Sequence, residues 1–269
     1  MKIIPPATRT ESHPMLDDIL ARIADHKPVA NLTCTDLPWS DAACEDASFI
    51  DCTFTDSHFS ATDFTGARFE RCQFHRCRFS RTILRDATFE DCRFTLPGNP
   101  PTGTGFAIAD LRNARFRRCD LAFAIFERSD LHAIEMHGCT LRGARFHQVD
   151  FSHAFARKTI VTRAVFNDCN FEFALLADAK LPLCDLARCR FREADLGGVD
   201  FTHAILTACD FTEALTPGLA LAGADLRGSE LGAINLLTLA SFARMKITQS
   251  QGDTLLQTLR IELHPEPAA

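Results

Sequence analysis

Cysteine is the residue type in this sequence with the widest chemical capacity, since its twelve thiols could form disulfides, bind a metal ion or act as nucleophiles. Most of the thiols recur at intervals of 20 residues, in three series: Cys52, Cys72 and Cys92; Cys119 and Cys139; Cys169, Cys189 and Cys209. There is no CxxC pair and the histidines are scattered, so a zinc site is not expected. We predict that the cysteines act as small buried hydrophobes and stay reduced, as is typical of a cytoplasmic protein.

Other motifs for catalysis are absent from the sequence. It contains no glycine-rich phosphate loop, HExxH motif or nucleophile elbow. His132, His147 and His203 are expected to face solvent, and none of them has partners for a catalytic triad. We therefore predict no enzyme, no catalytic residue, no metal site and no cofactor.

Charge and hydropathy exclude two further classes of protein. The formal net charge of −6 argues against direct nucleic-acid binding through phosphate contacts. No uninterrupted apolar run reaches about 18 residues, and the first residues lack the apolar stretch of a secretory signal. We therefore expect no membrane segment and a cytoplasmic localisation.

A period of five residues organises most of the chain. Large apolar residues occupy every fifth position, beginning with Phe49, Phe54, Phe59, Phe64, Phe69, Phe74 and Phe79, and the residue two places earlier is small. Neither a helix, with a period of 3.6, nor a strand, with a period of 2, explains this spacing. A short fixed period indicates a solenoid whose units bury their apolar side chains by stacking.

Units such as ADLRG at 224–228 and CDFTE at 209–213 resemble the pentapeptide-repeat family, whose unit is A(D/N)LXX. The resemblance covers roughly residues 45–240. It implies an all-β solenoid, a right-handed quadrilateral β-helix with four units, or 20 residues, in each coil. Coils that stack about 4.8 Å apart would bring the cysteines of each series into a column along the helix.

The two ends of the chain are not repeats. Ser12 and Pro14 begin a predicted helix over about 13–27, and its apolar residues recur at helical spacing, as expected of a cap on the solenoid. Near the C-terminus, Thr248 and Gln251 form a capping box for a helix over 249–259, followed by a predicted short strand over 261–263. The predicted organisation is an N-terminal helical cap over 1–31, the β-helix over 32–240 with a loop at 95–105, and a C-terminal helix and strand segment over 241–269.

The C-terminal segment resembles the end of Qnr-like quinolone-resistance proteins. That resemblance implies a head-to-head homodimer through this segment, here through the apolar residues Leu255, Leu256, Leu259 and Ile261. It also implies a rod that imitates double-stranded DNA and engages a type II topoisomerase. Arg260, where relatives commonly have glycine, and a single clear loop are departures from that group.

Two surfaces are candidates for contact with a partner. The first is the loop, which interrupts the period and contains three prolines. Its candidate residues are Leu96, Pro97, Gly98, Asn99, Pro100, Pro101, Thr102, Gly103, Thr104 and Gly105. The acidic candidates are Asp110, Asp130, Asp150, Asp195, Asp200, Asp210, Glu213 and Glu230. A 20-residue coil predicts that Asp110, Asp130, Asp150, Asn170, Arg190, Asp210 and Glu230 share one outward column. Further irregularities at 155–161, with Ala156 at an inward position, and at 214–221, with Thr216 at one, are expected to be local bulges or dents.

Two functions remain open at this point. The first is a DNA mimic that binds DNA gyrase or another type II topoisomerase and protects it from quinolones or a natural poison. The second is a non-enzymatic interaction scaffold, an effector or accessory protein. The acidic residues could equally be a solvated surface, and the loop could equally be a tolerated insertion.

Overall fold

The computed structural model describes residues 13–262 and 264, apart from 97, 99, 100, 157, 158 and 233. The chain forms the predicted right-handed quadrilateral β-helix, with an α-helix at each end. Parallel bridges between successive coils run from Val29 to Lys246, so the wall extends beyond 32–240 in both directions.

Four faces make up the wall, and we number them in chain order. The first is a seven-stranded parallel sheet of β1 (Val29–Ala30), β3 (Ser48–Ile50), β6 (Arg68–Glu70), β9 (Thr88–Glu90), β13 (Arg115–Arg117), β15 (Ile134–His137) and β19 (Ala164–Asn167). The second contains β2 (Thr33–Thr35), β4 (Thr53–Thr55) and β7 (Gln73–His75), and the third β5 (His58–Ser60), β8 (Arg78–Ser80), β12 (Gly105–Ala107), β14 (Ile125–Glu127) and β16 (Arg145–His147). The fourth face consists of isolated bridges, and beyond β19 all faces continue in that form.

The large residue of each unit points inward and stacks on its equivalents in the neighbouring coils. Phe49 lies parallel to Phe69 with ring centroids 5.0 Å apart, and Phe69 lies parallel to Phe89 at 4.7 Å. These distances match the spacing of hydrogen-bonded strands. The aromatic core is therefore as regular as the backbone ladder, and the apolar area that it buries stabilises the fold.

Each corner of the coil is turned by the second residue after the large one. This residue adopts a left-handed conformation, with φ of 53° at Asp51, 52° at Arg71 and 54° at Asp91. Such a conformation costs an L-residue about 1–2 kcal/mol. The corners therefore depend on the stacked core to hold them.

Two antiparallel hairpins interrupt the wall. The first, β10 (Thr95–Leu96) and β11 (Thr102–Gly103), confirms that the chain leaves the solenoid in the predicted loop. The second, β17 (Ser152–Ala156) and β18 (Thr159–Thr162), lies where only a local bulge or dent was predicted, and that prediction is wrong. Met136 pairs with Phe166, thirty residues on rather than twenty, so ten residues have left the wall. The described part of the chain thus has two hairpin loops, not a single one.

The N-terminal helix α1 (Pro14–Ala24) packs on the first coil through Leu16, Ile19 and Ile23, which are all buried. It begins after His13, whose side chain makes no capping hydrogen bond, and Pro14 supplies the first-turn conformation. The predicted cap Ser12 lies outside the described residues. The helix covers the apolar end of the solenoid, as predicted.

The C-terminal helix α2 (Gln249–Thr258) begins with the predicted capping box of Thr248 and Gln251. The amide Nε2 of Gln251 also donates to the carbonyl oxygens of Leu226 at 2.8 Å and Ser229 at 2.7 Å. Gln251 thereby satisfies two carbonyl groups of the last regular coil. A 3₁₀ turn at Leu236–Thr238 precedes this helix.

The strand predicted over 261–263 is not formed at Ile261 and Glu262, and residue 263 lies outside the described residues. Instead, the amide of Ile261 donates to the carbonyl oxygen of Leu256 at 3.0 Å, and that of Arg260 to Gln257 at 2.9 Å. These bonds close the helix in a Schellman motif, with Arg260 at a φ of 58°. The amide of Ile261 is thereby engaged by the helix end and not by a neighbouring strand.

Candidate partner-binding surfaces

The acidic candidates lie on three faces, and the column predicted from Asp110 to Glu230 is divided between two of them. Beyond the second hairpin, Asn170 pairs with Thr140 on the second face instead of continuing above Asp150. The prediction of a single column is wrong because the ten displaced residues shift the following chain by half a coil. The fourth face carries Asp110, Asp130, Asp150 and Asp200, the third Asp195, and the second Asp210 and Glu230, with Glu213 at the corner that follows.

Most of these aspartates also stabilise the local backbone. In Asp195, Asp200 and Asp210 the carboxylate Oδ1 accepts a hydrogen bond from the amide two residues further on, at 3.0, 2.9 and 2.9 Å. This is an Asx turn, which holds the chain between the large residue and the corner. One carboxylate oxygen therefore serves the fold, and the other can face a partner.

Asp110 and Asp130 are neighbours on the fourth face, and their pKa values are shifted in opposite directions. Burial opposes ionisation of Asp110, but hydrogen bonds from Arg112 and Arg85 outweigh it and hold its pKa below the usual range. Burial raises the pKa of Asp130, and the carboxylates of Asp110 and Asp150 add to that effect. Much of the negative charge in this column is therefore compensated within the chain.

The first hairpin is anchored to the wall at both ends. Thr95 Oγ1 donates to the carbonyl oxygen of Ala122 at 2.8 Å, and Thr104 Oγ1 donates to that of Phe94 at 2.8 Å. Thr104 is buried and Gly105 forms β12, so neither belongs to the protruding part of the predicted loop. Gly98 and Thr102 are exposed near the tip, whereas Pro97, Asn99 and Pro100 lie outside the described residues.

The second hairpin covers a histidine that was expected to face solvent. His132 is buried, its Nδ1 lies 3.2 Å from the carbonyl oxygen of Phe151, and its ring centroid lies 5.4 Å from that of His153 in β17. His132 therefore belongs to the base of the hairpin, and the prediction that it faces solvent is wrong. His147 and His203 are exposed on the outside of the coil, as predicted.

The predicted dimerisation residues differ in their accessibility. Leu255 is only 3% exposed because it packs into the chain's own core, so it cannot lie in an interface. Leu256 and Leu259 are half-buried, and Ile261 is exposed. Leu237 and Phe242, on the irregular last coil, are also exposed in the chain's terminal region. An exposed apolar surface is thus present at this end. It contains Ile261, Leu237 and Phe242 but not the predicted Leu255.

The three cysteine series form one column along the solenoid. The steps from Cys92 to Cys119 and from Cys139 to Cys169 are longer than 20 residues only because a hairpin leaves the wall within each of them. Each thiol in this column donates to the carbonyl oxygen of an inward residue in the neighbouring coil, as Cys72 does to Phe49 at 3.5 Å and Cys189 to Phe166 at 2.8 Å. All twelve cysteines are free and buried. Burial raises the pKa of Cys77 to about 12, which makes its thiol unreactive. Among the described residues no group of side chains is arranged to hold a metal ion.

One charged surface was not predicted from the sequence. Arginines recur on the third face at Arg78, Arg81, Arg128 and Arg145. The sequence alone does not show that they share a face, because the first hairpin adds seven residues to the 20-residue spacing between Arg78 and the next coil. No helix in the described part of the chain is long and apolar enough to cross a membrane.

Comparison with known proteins agrees with this architecture. The family described as pentapeptide repeats (8 copies) matches residues 42–81, 72–95, 109–148, 134–168, 144–182, 169–207 and 184–215. No curated protein matched the chain.

Two solved structures of QnrB1, described as a plasmid-mediated fluoroquinolone resistance protein, are similar to this chain. A trypsin-treated variant of QnrB1 is 26% identical, with a TM-score of 0.70, over 79% of this chain and 99% of that one. The full-length form is 24% identical, with a TM-score of 0.67, over 86% of this chain and 99% of that one. With the family match covering more than half of the chain, these findings show that the protein belongs to the pentapeptide-repeat family and is Qnr-like in structure.

Proposed function

We propose that this protein binds DNA gyrase or another type II topoisomerase by imitating double-stranded DNA, and protects it from quinolones or a natural poison. The single observation that carries the proposal is the likeness to QnrB1, a fluoroquinolone resistance protein, over almost the whole of that chain. In this proposal the protein is a cytoplasmic interaction protein and not an enzyme. The topoisomerase itself is an inference from the Qnr-like C-terminal segment.

The dimensions of the rod support the proposal. Ten or so coils, at about 4.8 Å each, give roughly 50 Å for one chain. Two chains end to end would give about 100 Å, close to the length of 30 base pairs at about 3.4 Å each. Such a rod could occupy the DNA-binding groove of a topoisomerase.

The distribution of acidic residues also supports it. Residues 166–240 contain eleven acidic and five basic residues. Because Asp195, Asp200 and Asp210 lie on three different faces, their carboxylates surround the rod, as phosphates surround a duplex. A basic DNA-binding surface would attract them from several directions, and the attraction would weaken as salt rises.

We further propose a two-fold dimer through the exposed apolar surface at the C-terminal end. Deleting 247–269 would also remove Leu255 and Gln251, which close the last coil, so point variants are sharper. Leu237→Asp combined with Ile261→Asp should give a monomer in light scattering. The control is Leu183→Asp, at a leucine 70% exposed in the middle of the rod, which should leave the dimer intact. A wild-type chain that is monomeric at tens of micromolar would refute the dimer.

Topoisomerase binding is tested by a gyrase supercoiling assay with and without a fluoroquinolone. Wild-type protein should restore supercoiling in the presence of the drug and compete with DNA for the enzyme. The triple variant Asp195→Asn, Asp200→Asn and Asp210→Asn keeps the oxygen that accepts the turn hydrogen bond but removes the charge, so it should fold and lose binding.

Asp63→Asn is the matched control, because Asp63 accepts the same turn bond from Thr65 at 2.8 Å but lies near the other end of the rod. Replacing 97–101 with two glycines should reduce drug protection more than binding, if the first hairpin contacts the enzyme. Should the wild-type protein neither compete with DNA nor rescue supercoiling, the mimic proposal fails and the interaction scaffold replaces it.

A further inference from the structure

Among the described residues, the third face carries four arginines that have no carboxylate partner and only one acidic residue beside them. Many arginines on the other faces pair with an acid on the neighbouring coil: Arg118 Nε lies 2.8 Å from Asp91 Oδ1, and Arg188 Nε lies 2.6 Å from Asp168 Oδ1. Within the described chain, no ion pair or side-chain hydrogen bond involves any of the third-face arginines, Arg78, Arg81, Arg128 and Arg145. All four are exposed.

Acidic residues are nearly absent from the same surface. Between β5 and β16, the outward residues of this face and of its following corner include one acid, Glu127, together with His58 and His147. The surface is therefore cationic although the whole chain carries a net charge of −6. Its charge cannot serve the DNA mimicry proposed above, which needs carboxylates.

A depression of about 490 Å³ lies in the middle of this surface, at the foot of the first hairpin. One column runs from Arg78 through Gly105 and Ile125 to Arg145, with direct pairing at each step. A Cβ built on Gly105 would meet no atom within 4 Å, so the missing side chain leaves open space between an arginine and an isoleucine. The column thus offers two cationic ends, roughly 15 Å apart over three coil steps, and a small open site between them.

We propose that this third-face surface binds an extended acidic segment of a partner protein. An extended chain advances about 3.3 Å per residue, so two carboxylates four residues apart, which lie on the same side of the chain, span about 13 Å, close to the distance from Arg78 to Arg145. A small side chain between those carboxylates fits the depression beside Gly105. The four unpaired guanidinium groups supply the charge complementarity and fork-shaped donors for carboxylates.

Duplex DNA fits this surface less well than an acidic peptide does. The face is three residues wide, about 10 Å, which is less than the width of a single major groove, about 12 Å. A duplex lying on it would overlap the acidic column of Asp110, Asp130 and Asp150 on the adjacent fourth face. A narrow peptide would stay within the cationic strip.

The test measures binding of a fluorescent twelve-residue peptide with the repeat Glu-Ser-Ala-Ser, which places Glu and Ala alternately on one side of an extended chain. Binding is followed by anisotropy at about 50 mM salt, with an equivalent Gln-Ser-Ala-Ser peptide for comparison. The wild-type protein should bind the Glu peptide at least tenfold more tightly than the Gln peptide. The variant Arg78→Ala with Arg145→Ala should weaken binding at least tenfold. Gly105→Leu should weaken it about fivefold by filling the depression, whereas Gly105→Ala should not.

Arg68→Ala with Arg117→Ala is the matched control, because both are exposed arginines without ion pairs in the described chain but lie on the first face among Glu70 and Glu90. This variant should bind within twofold of wild type. Equal loss in the control, no binding by the wild type, or displacement of the peptide by a 20-base-pair duplex would each overturn the proposal. The assay contains no topoisomerase, so its result is independent of the function proposed above.

Discussion

Phe126 provides the sharpest test of the stacked core. Its ring is fully buried on the third face, with centroids 4.9 Å from Phe106 and 5.0 Å from Phe146, as the 20-residue coil predicts. Truncation to alanine removes the whole ring from between two fixed neighbours. The backbone ladder holds the coils apart, so the cavity cannot close easily. We expect Phe126→Ala to lower the free energy of unfolding by about 3–5 kcal/mol.

Phe126→Leu retains most of the buried volume and should cost less than about 1.5 kcal/mol. Phe173→Ala is the control, since Phe173 is 40% exposed at a corner and contacts Arg142, 4.7 Å from the ring centroid, through a cation–π interaction. Its loss should cost no more than about 1 kcal/mol. Urea denaturation followed by circular dichroism measures all three. Equal tolerance of Phe126→Ala and Phe126→Leu would refute the stacking argument.

Individual contacts elsewhere in the chain give four more testable expectations. Trp39 is fully buried, and its Nε1 has no hydrogen-bond partner in the described chain. Trp39→Phe should therefore change the free energy of unfolding by less than about 1 kcal/mol. Trp39→Ala should lower it by about 3–5 kcal/mol in the same urea titration. Arg260 has a φ of 58°, so Arg260→Gly should raise stability by about 1 kcal/mol in thermal denaturation. A hydrogen bond from Arg188 lowers the pKa of Asp168. This ion pair therefore stabilises the fold above about pH 4, and the stabilisation is lost as the pH falls through the lowered pKa. In Asp168→Asn the free energy of unfolding should depend less on pH in that range. A thiol reagent should find few reactive cysteines in native protein and about twelve after denaturation, and native disulfides in a mass measurement would contradict the buried, reduced state.

Several elements were predictable because their determinants are local. The stacked core follows from the period of five alone, since the side chain of every fifth residue must share one environment. The capping box of Thr248 and Gln251 is likewise a local pattern, and the structure forms it. Pro14 and the apolar residues that follow it similarly indicated α1.

Other elements depended on contacts that no local pattern shows. The burial of Leu255 depends on the last coil beneath α2, and the burial of His132 depends on the second hairpin above it. The third-face arginines become one surface only when Arg78 and Arg145 are brought into the same column by three coil steps. Each of these positions is set by residues far away in the sequence.

The two hairpins show most clearly where the sequence ceases to determine the structure. Phe79 pairs with Phe106, seven residues beyond the usual twenty, and seven is not a multiple of five, so the first hairpin visibly breaks the period. The second removes ten residues, which is two whole units, so Phe151 and Phe166 remain in phase and the pattern continues unchanged. For the units that stay in the wall, the sequence by itself therefore determined which side chains face inward, because that depends only on position within a unit. Which face each unit occupies, and so where Asp210 and Glu230 lie, was decided by the tertiary structure, because it depends on how many units remain hydrogen-bonded in the wall.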